Sequence, residues 1–184
     1  MDAGYDDVLA AARAGAEWAW VRLYNELAPK VVGYARAHGA EEPEDLAADV
    51  LLGVVRGLPR FSGGEAELRT WVFTIAHRRL VDDLRRRRRR PAEAAPPEAI
   101  DRAAGAGGDV SEDAESRLAH AAVRAAIDEL PPDQRSVVLL RIIGDLTIEE
   151  IARVVRKRPG AVKALQRRGL RRLERAYPFA HLER

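Results

Sequence analysis

The stretch DLTIEEIARVVRKRPGAVKALQRRGLRRLERA, residues 145–176, decides the fold of this chain. Thr147 with Glu150 three residues later forms a capping box, so a helix is predicted to begin after Thr147. That helix is about two and a half turns long, and the residues RKR, 156–158, follow it as a tight turn. Pro159 suits the first position of the next helix. The stretch therefore predicts two helices joined by a turn, a helix-turn-helix.

The second helix of this pair carries a basic outward face. Positions at spacings of three and four predict a buried stripe: Val162, Leu165, Gly169 and Leu173. In the major groove Arg and Lys pair with guanine edges and Gln with adenine edges, while flanking Arg residues hold phosphates. A solvated basic face is the alternative, but it does not explain the capped short helix and the turn. The residues predicted to contact DNA are Arg156, Lys157, Arg158, Lys163, Gln166, Arg167, Arg168, Arg171 and Arg172.

Two further helices are predicted before the helix-turn-helix. AESRLAHAAVRAAIDEL forms the first and ends at Pro131, and PPDQRSVVLLRII forms the second after Pro132. Residues 116–184 are thus predicted to form a small helical domain. The segment before it, 91–115, is rich in Pro, Gly, Ala and acidic residues and is predicted to be a flexible, extended linker.

The first 90 residues also have helical periodicity. We predict helices near 6–13 and 17–38, a third that begins at Pro43, and a fourth after the loop RFSGGEAE, residues 60–67. The fourth helix ends in the arginine run 85–90. The predicted core positions are Trp20, Leu23, Tyr24, Leu27, Val31, Tyr34, Leu46, Val50, Leu51, Val54, Leu58, Leu68, Trp71, Val72, Ile75, Ala76, Leu80 and Leu84.

The fold class follows from these patterns. Strand signals are nearly absent, because Val and Ile recur at helical spacings and no alternating run is bounded by a hairpin turn. We therefore predict an all-α protein of two small domains, an N-terminal helical bundle at 1–90 and a helix-turn-helix domain at 116–184, joined by the acidic linker.

Charge is distributed unevenly along the chain. The formal net charge is +2, but it is −4 over residues 1–60, +5 over 61–90, −6 over 91–116 and +7 over 117–184. Two basic blocks separated by an acidic segment indicate two surfaces for one polyanion. The arginine run could be a solvated helix end or a targeting tag. Like charges packed this closely repel, which favours contact with a nucleic-acid phosphate chain.

Several classes of function are disfavoured. The chain has no cysteine, and its four histidines lie far apart, so we expect no metal site and no cofactor. No phosphate-binding loop or nucleophile motif occurs, so we expect no enzymatic activity. The acidic start lacks the features of a signal peptide, and no apolar run is long enough to span a bilayer. We expect a cytoplasmic protein that is not inserted in a membrane.

Three motifs in order resemble the extracytoplasmic-function (ECF) group of bacterial RNA polymerase sigma factors. They are EDLAADVLLGVVRGLPRF, LRTWVFTIAHRRLVDDLRR and LPPDQRSVVLLRIIGDLTIEEIARVVRKRPGAVKALQRRGLRRL. The resemblance covers nearly the whole chain apart from the linker and the last few residues. It implies a transcription initiation factor that binds core RNA polymerase, directs it to specific promoters and helps to open promoter DNA.

The resemblance also implies site residues. Core polymerase would be bound by Asp45, Leu46, Asp49, Leu52 and Arg56. The loop from Arg60 and the helix after it would hold the separated strand of the minus-ten element with one base flipped out. Trp71 is expected to pack in the core rather than stack on a base. The minus-ten candidates are Arg60, Phe61, Ser62, Arg78, Arg79, Arg85 and Arg86.

The C-terminal domain would read the minus-thirty-five element and rest on the polymerase flap. The linker would thread through polymerase towards the RNA exit path. Residues depart from the family pattern in several places: Ala48, Asp49 and Leu51 stand where Gln, Glu and Phe are usual. Arg78 stands where Asn is usual, so a phosphate contact is expected there. No further domain follows the C-terminal YPFAHLER, so a separate anti-sigma factor is expected to control the protein.

A stand-alone helix-turn-helix regulator is the alternative. It would dimerise and bind duplex DNA tightly without polymerase. The sigma-factor interpretation predicts a monomer when free, with weak DNA binding, because its two basic domains act together only when polymerase spaces them.

Overall fold

The computed structural model describes residues 4–89 and 114–176, and over these residues the chain is helical and has no strand. The fold class predicted from the sequence is therefore confirmed. Most of the predicted linker lies outside the described residues. The helices are α1 (Tyr5–Arg13), α2 (Glu17–Ala37), α3 (Pro43–Gly57), a short 3-10 turn (Leu58–Arg60), α4 (Glu65–Arg89), α5 (Ala114–Asp128), α6 (Pro132–Ile142), α7 (Ile148–Val155) and α8 (Pro159–Ala176).

The N-terminal half is a bundle of α1 to α4. α2 and α3 form a helical hairpin, and α4 packs back across α3 and α2. Pro43 stands at the start of α3, where the missing N–H costs no hydrogen bond. The buried apolar side chains of this half include Leu23, Leu27, Val31, Tyr34, Val50, Val54, Leu58, Leu68, Val72, Phe73 and Leu80.

In the C-terminal half, α6 and α8 pack closely at Gly169. A Cβ added at Gly169 would lie 2.8 Å from Cγ2 of Val138. The absence of a side chain therefore lets the two helices approach each other. Val162 and Leu165 are buried beside this contact, which confirms those positions of the predicted stripe, whereas Leu173 is half-buried.

The two halves pack against each other. α7 lies along α4, and α2 contacts both α5 and α6. Phe73 of α4 and Leu140, Leu146 and Ile151 of the C-terminal half belong to one buried cluster. An ion pair between Arg69 and Asp145, 3.3 Å apart, lies at the edge of this contact. The core is thus continuous from the bundle to the helix-turn-helix.

Some predicted core positions lie elsewhere. Tyr24 is 57% exposed, and its neighbours Trp18 and Val21 on α2 are also exposed. α2 has apolar residues on more than one face, so periodicity alone placed Tyr24 wrongly. Trp71, by contrast, packs against the core as predicted, with part of its ring exposed.

Candidate nucleic-acid and polymerase interfaces

The start of the helix-turn-helix is fixed by a capping box. The Thr147 hydroxyl accepts a hydrogen bond from the backbone N–H of Glu150 at 3.3 Å, and a Glu150 carboxylate oxygen accepts from the backbone N–H of Thr147 at 2.7 Å. These bonds satisfy backbone donors that the first turn of α7 leaves free. The capping box predicted from the sequence is confirmed.

The turn between α7 and α8 depends on one backbone conformation. Arg156 caps α7 with φ 54°, in the left-handed region, so the chain leaves α7 abruptly before Pro159 begins α8. Arg156, Lys157 and Arg158 are all exposed. The Lys157 ammonium lies 2.9 Å from a carboxylate oxygen of Asp133, so α6 holds one end of this cationic turn.

The outward face of α8 is basic, as predicted. Gln166 is half-buried, and the exposed residues of the predicted set on α8 are Lys163, Arg167, Arg168, Arg171 and Arg172. They follow one another over about three turns of a helix whose opposite side is buried against α6. This face can present cations to a phosphate chain or side chains to base edges.

A second basic surface lies on α4. Arg78, Arg79, Arg85 and Arg86 are exposed. Arg79 donates to a carboxylate oxygen of Asp49 on α3 at 2.8 Å, which brings together one residue predicted for the minus-ten strand and one predicted for polymerase. Arg78 and Arg85 line a groove of about 880 Å³ that Arg156 of the turn also lines. The two predicted DNA surfaces therefore meet at one groove.

The arginine run is only in part a solvated helix end. Arg85, Arg86, Arg88 and Arg89 are exposed. Arg87 instead folds back, donating to the carbonyl oxygen of Gly39 at 3.0 Å and pairing with Asp83 at 2.7 Å. One arginine of the run thus ties α4 to the end of α2. Arg85 and Arg86 form exposed ion pairs with Asp82 and Asp83, at 3.9 Å and 3.5 Å, which a phosphate can replace at little cost.

The loop before α4 is a layered structure. The ring of Phe61 stacks on that of Trp71, with 5.1 Å between centroids and 11° between planes. Phe61 is half-buried, while Arg60 and Ser62 are exposed. The expectation that Trp71 packs rather than offering a free face is consistent with this stack. Phe73 is fully buried in the core.

The residues predicted to bind polymerase share the outer side of α3. Asp45, Asp49, Leu52 and Arg56 are exposed, whereas Leu46 is half-buried. Asp45, Leu46 and Asp49 line an acidic groove of about 670 Å³ between α3 and α4. Leu52 and Val55 are exposed apolar side chains among the charged residues of this surface, 52% and 44% exposed. Such a combination suits a protein partner.

A polar cluster that the sequence did not predict lies between the halves. Nδ1 of His38 contacts the carbonyl oxygen of Tyr34 at 2.9 Å, and Nε2 contacts the hydroxyl of Ser136 at 3.1 Å. The Tyr34 hydroxyl lies 2.8 Å from Nδ1 of His77. Burial lowers the pKa of His38 to about 4, and burial also lowers the pKa of His77, opposed by nearby Asp133. Burial raises the pKa of Tyr34. Both imidazoles are thus neutral near pH 7.

Two further observations bear on function. Among residues 4–89 and 114–176, the acidic residues and histidines form no group of three or more that could hold a metal ion. Over the same residues, no helix is long and apolar enough to cross a membrane.

A capped short helix, a tight turn and a second helix with an exposed basic face together define a DNA-binding protein of the helix-turn-helix class. Family comparisons define it further. Sigma-70 region 2 matches residues 23–90, and Sigma-70, region 4 matches residues 120–173. The two matches cover the α4 surface and the helix-turn-helix respectively.

Curated relatives give the same assignment. The ECF RNA polymerase sigma factor RpoE of Cereibacter sphaeroides is 32% identical, with 85% of this chain and 85% of that protein covered. SigD of Mycobacterium bovis is 30% identical, and the match covers 92% of this chain and 82% of that protein. BldN of Streptomyces coelicolor is 32% identical, covering 91% of this chain and 63% of that protein. The chain belongs to the ECF family of RNA polymerase sigma factors, and it is thereby a transcription initiation factor.

Solved structures show the same fold. The structure of CnrH in complex with the cytosolic domain of CnrY has a TM-score of 0.62 at 21% identity, covering 91% of this chain and 92% of that chain. The sigma factor RpoE of Bartonella quintana, in complex with the anti-sigma factor NepR, has a TM-score of 0.63 at 20% identity. The match covers 89% of this chain and 97% of that chain.

Proposed function

We propose that the two basic surfaces act on two elements of one promoter. The exposed arginines of α8 would read the minus-thirty-five element as duplex DNA, and the loop at Arg60–Ser62 with the outer side of α4 would hold the separated minus-ten strand. The observation that carries this proposal is the exposed basic face of α8, presented by a capped helix-turn-helix.

Polymerase binding is assigned to the outer side of α3. Its exposed Asp45 and Asp49 beside Leu52 suit a partner surface that is basic with an apolar centre. The protein would contribute no bond-making chemistry of its own, because polymerase performs the synthesis. We place it in the cytoplasm, and at the nucleoid when polymerase holds it on DNA.

The two halves have to separate for this function. The minus-ten and minus-thirty-five elements are centred about 25 base pairs apart, which is ~85 Å along B-DNA. This distance is more than twice the ~37 Å length of α4, the helix against which the helix-turn-helix packs. α7 packs directly on α4, and Arg78 and Arg156 line one groove. We therefore infer that binding to polymerase breaks the contact between α4 and α7.

Control by an anti-sigma factor is also proposed. Two structural neighbours were solved with protein partners bound, CnrH with the cytosolic domain of CnrY and the Bartonella quintana RpoE with the anti-sigma factor NepR. We propose that this chain is a monomer when free and is held inactive by a protein partner of the same kind.

The first experiment mixes the purified chain with core RNA polymerase, follows co-elution on a sizing column and tests initiation on a genomic promoter library. Co-elution with new start sites would support the proposal and supply the promoter sequence. A dimer that binds duplex DNA tightly without polymerase would instead support the alternative of a stand-alone regulator.

A further inference from the structure

We propose that Arg13 of α1 is a positioning residue that holds the loop at Phe61–Gly64 in the shape that receives the minus-ten strand. This inference rests on the strand-binding role proposed above for that loop. Arg13 lies outside the matched region 2, residues 23–90, and no sequence motif marked it.

The contacts of Arg13 join α1 to the loop. Nη2 of Arg13 donates to the carbonyl oxygen of Gly63 at 2.7 Å, across 50 positions of the chain. The guanidinium carbon lies 5.6 Å from the centroid of the Phe61 ring. Because Phe61 stacks in turn on Trp71, three side chains form consecutive layers. A cation over an aromatic face and a charge-assisted hydrogen bond both stabilise this arrangement.

The remaining sides of the loop are also fixed. A Cβ at Gly57 would lie 2.7 Å from the Trp71 ring, so Gly57 lets the tryptophan approach the end of α3 closely. Gly63 has φ 145°, and a Cβ there would lie 2.7 Å from Cβ of Glu67. A Glu67 carboxylate oxygen accepts from the backbone N–H of Gly64 at 3.1 Å. Arg13 therefore completes a loop that α3 and α4 hold from the other sides.

This arrangement leaves the loop's polar side chains outward. Arg60 and Ser62 are exposed on either side of the half-buried Phe61. A loop held in its binding shape loses less conformational entropy when the strand binds. Arg13 itself is half-buried and its guanidinium faces Gly63 and Phe61, so it acts through the loop and not by contact with the strand.

The test uses the holoenzyme and a single-stranded oligonucleotide with the minus-ten sequence of a promoter recovered in the initiation experiment. Arg13→Ala is expected to weaken binding of this strand roughly tenfold, the scale of one charge-assisted hydrogen bond. Affinity for core polymerase and for duplex minus-thirty-five DNA is expected to stay unchanged. Arg13→Lys, which keeps a donor for Gly63, should recover part of the loss. Arg124→Ala, which removes an exposed arginine of α5 outside the proposed interfaces, is the matched control.

A salt titration separates positioning from phosphate contact. Because Arg13 releases no counterion from the strand, Arg13→Ala should leave the slope of log affinity against log salt unchanged, whereas Arg78→Ala should reduce it by about 0.7. A reduced slope in Arg13→Ala would overturn the positioning role.

Two further results would overturn the proposal. Strand affinity of Arg13→Ala within twofold of the unaltered protein, with core binding intact, would show that the loop keeps its shape without Arg13. Failure of the unaltered holoenzyme to bind the strand would overturn the proposed role of the loop itself. This result can be told apart from a failure of the Arg13 proposal, because it is measured without any variant.

Discussion

Nε2 of His38, just after the end of α2, lies 3.1 Å from the hydroxyl of Ser136 in α6 and so joins the two halves of the molecule across 98 positions. The other ring nitrogen contacts the carbonyl oxygen of Tyr34, which can only accept, so Nδ1 carries the proton. Nε2 of the neutral ring is then the acceptor, and the Ser136 hydroxyl donates to it. The contact between the halves therefore contains a buried imidazole that is favoured in its neutral form.

The first prediction concerns pH. Burial lowers the pKa of His38 from 6.5 to about 4, so between these values the unfolded chain binds more protons than the folded one. Stability is then fully present above pH 6.5 and decreases as pH falls towards 4, by up to about 3 kcal/mol from this group. His77, whose pKa burial also lowers, contributes in the same direction. Urea unfolding between pH 7.5 and 5 measures the effect.

The matched variant is His38→Gln, whose side-chain amide does not titrate. It should be less stable at pH 7.5 but should show a shallower loss of unfolding free energy towards pH 5. Arg135 faces His38 and Asp133 faces His77. If the unfolding free energy fell equally with pH in the two proteins, His38 would be solvated in the folded state.

The second prediction concerns separation of the halves. The chain has no cysteine, so cysteines introduced at exposed Asn25 and Glu174 can be labelled with a donor and an acceptor dye. Energy transfer should be high in the free protein and should fall when core polymerase is added, because α4 and α7 move apart. Transfer that stays high in a holoenzyme active in transcription would contradict the inferred opening.

The third prediction uses a glycine at the contact. A Cβ at Gly144 would lie 2.7 Å from the carbonyl oxygen of Leu140 and 3.3 Å from the ring of Phe73 on α4. In Gly144→Ala the contact with Phe73 should push the connection between α6 and α7 away from α4, and the closer contact with Leu140 should strain the end of α6. Together they should destabilise the packed form by about 1–3 kcal/mol. Lower energy transfer between the same dyes in the free protein measures this.

Gly33→Ala is the control, since nothing lies within 4 Å of the Cβ it would add on α2. It should leave energy transfer unchanged and should stabilise the chain slightly. An equal loss of transfer in both variants would mean that the steric contact at Gly144 does not decide the packing.

The fourth prediction concerns core binding. Charge reversal of Asp45 and Asp49 to Lys should weaken binding to core polymerase at least tenfold, because an attractive surface becomes repulsive. Asp49→Lys also breaks the pair with Arg79, so Asp45→Lys by itself is the cleaner variant. Co-elution or a titration with labelled core measures affinity. Glu17→Lys on α2 makes the same charge change on another exposed surface and should bind core polymerase normally. Undiminished binding of core polymerase by the Asp45→Lys variant would count against the α3 surface.

The sequence predicted what local rules decide. The capping box at Thr147 and the proline that begins α8 each depend on residues within a few positions of one another, and the structure has both. Arg13 and His38 were not predicted, because their partners lie 50 and 98 positions away and neither has a local signal. Tyr24 was placed in the core because α2 is apolar on several faces, and tertiary packing decides which face is buried.

The last prediction tests the minus-thirty-five assignment. Arg167 and Arg168 are exposed on α8, outside the face that packs on α6 at Gly169. Replacing both with Ala should reduce transcription that depends on the minus-thirty-five element at least tenfold, since each good base contact contributes about 1–3 kcal/mol. If one or both hold phosphates instead, the salt slope of duplex binding should fall by about 0.9 for each phosphate that is no longer neutralised. Arg175→Ala, near the end of α8, serves as the control, and binding to core should be unaffected in both proteins. Unchanged promoter activity in the double variant, with its fold intact, would remove these two arginines from the DNA interface and leave Lys163, Arg171 and Arg172 as the cations of that face.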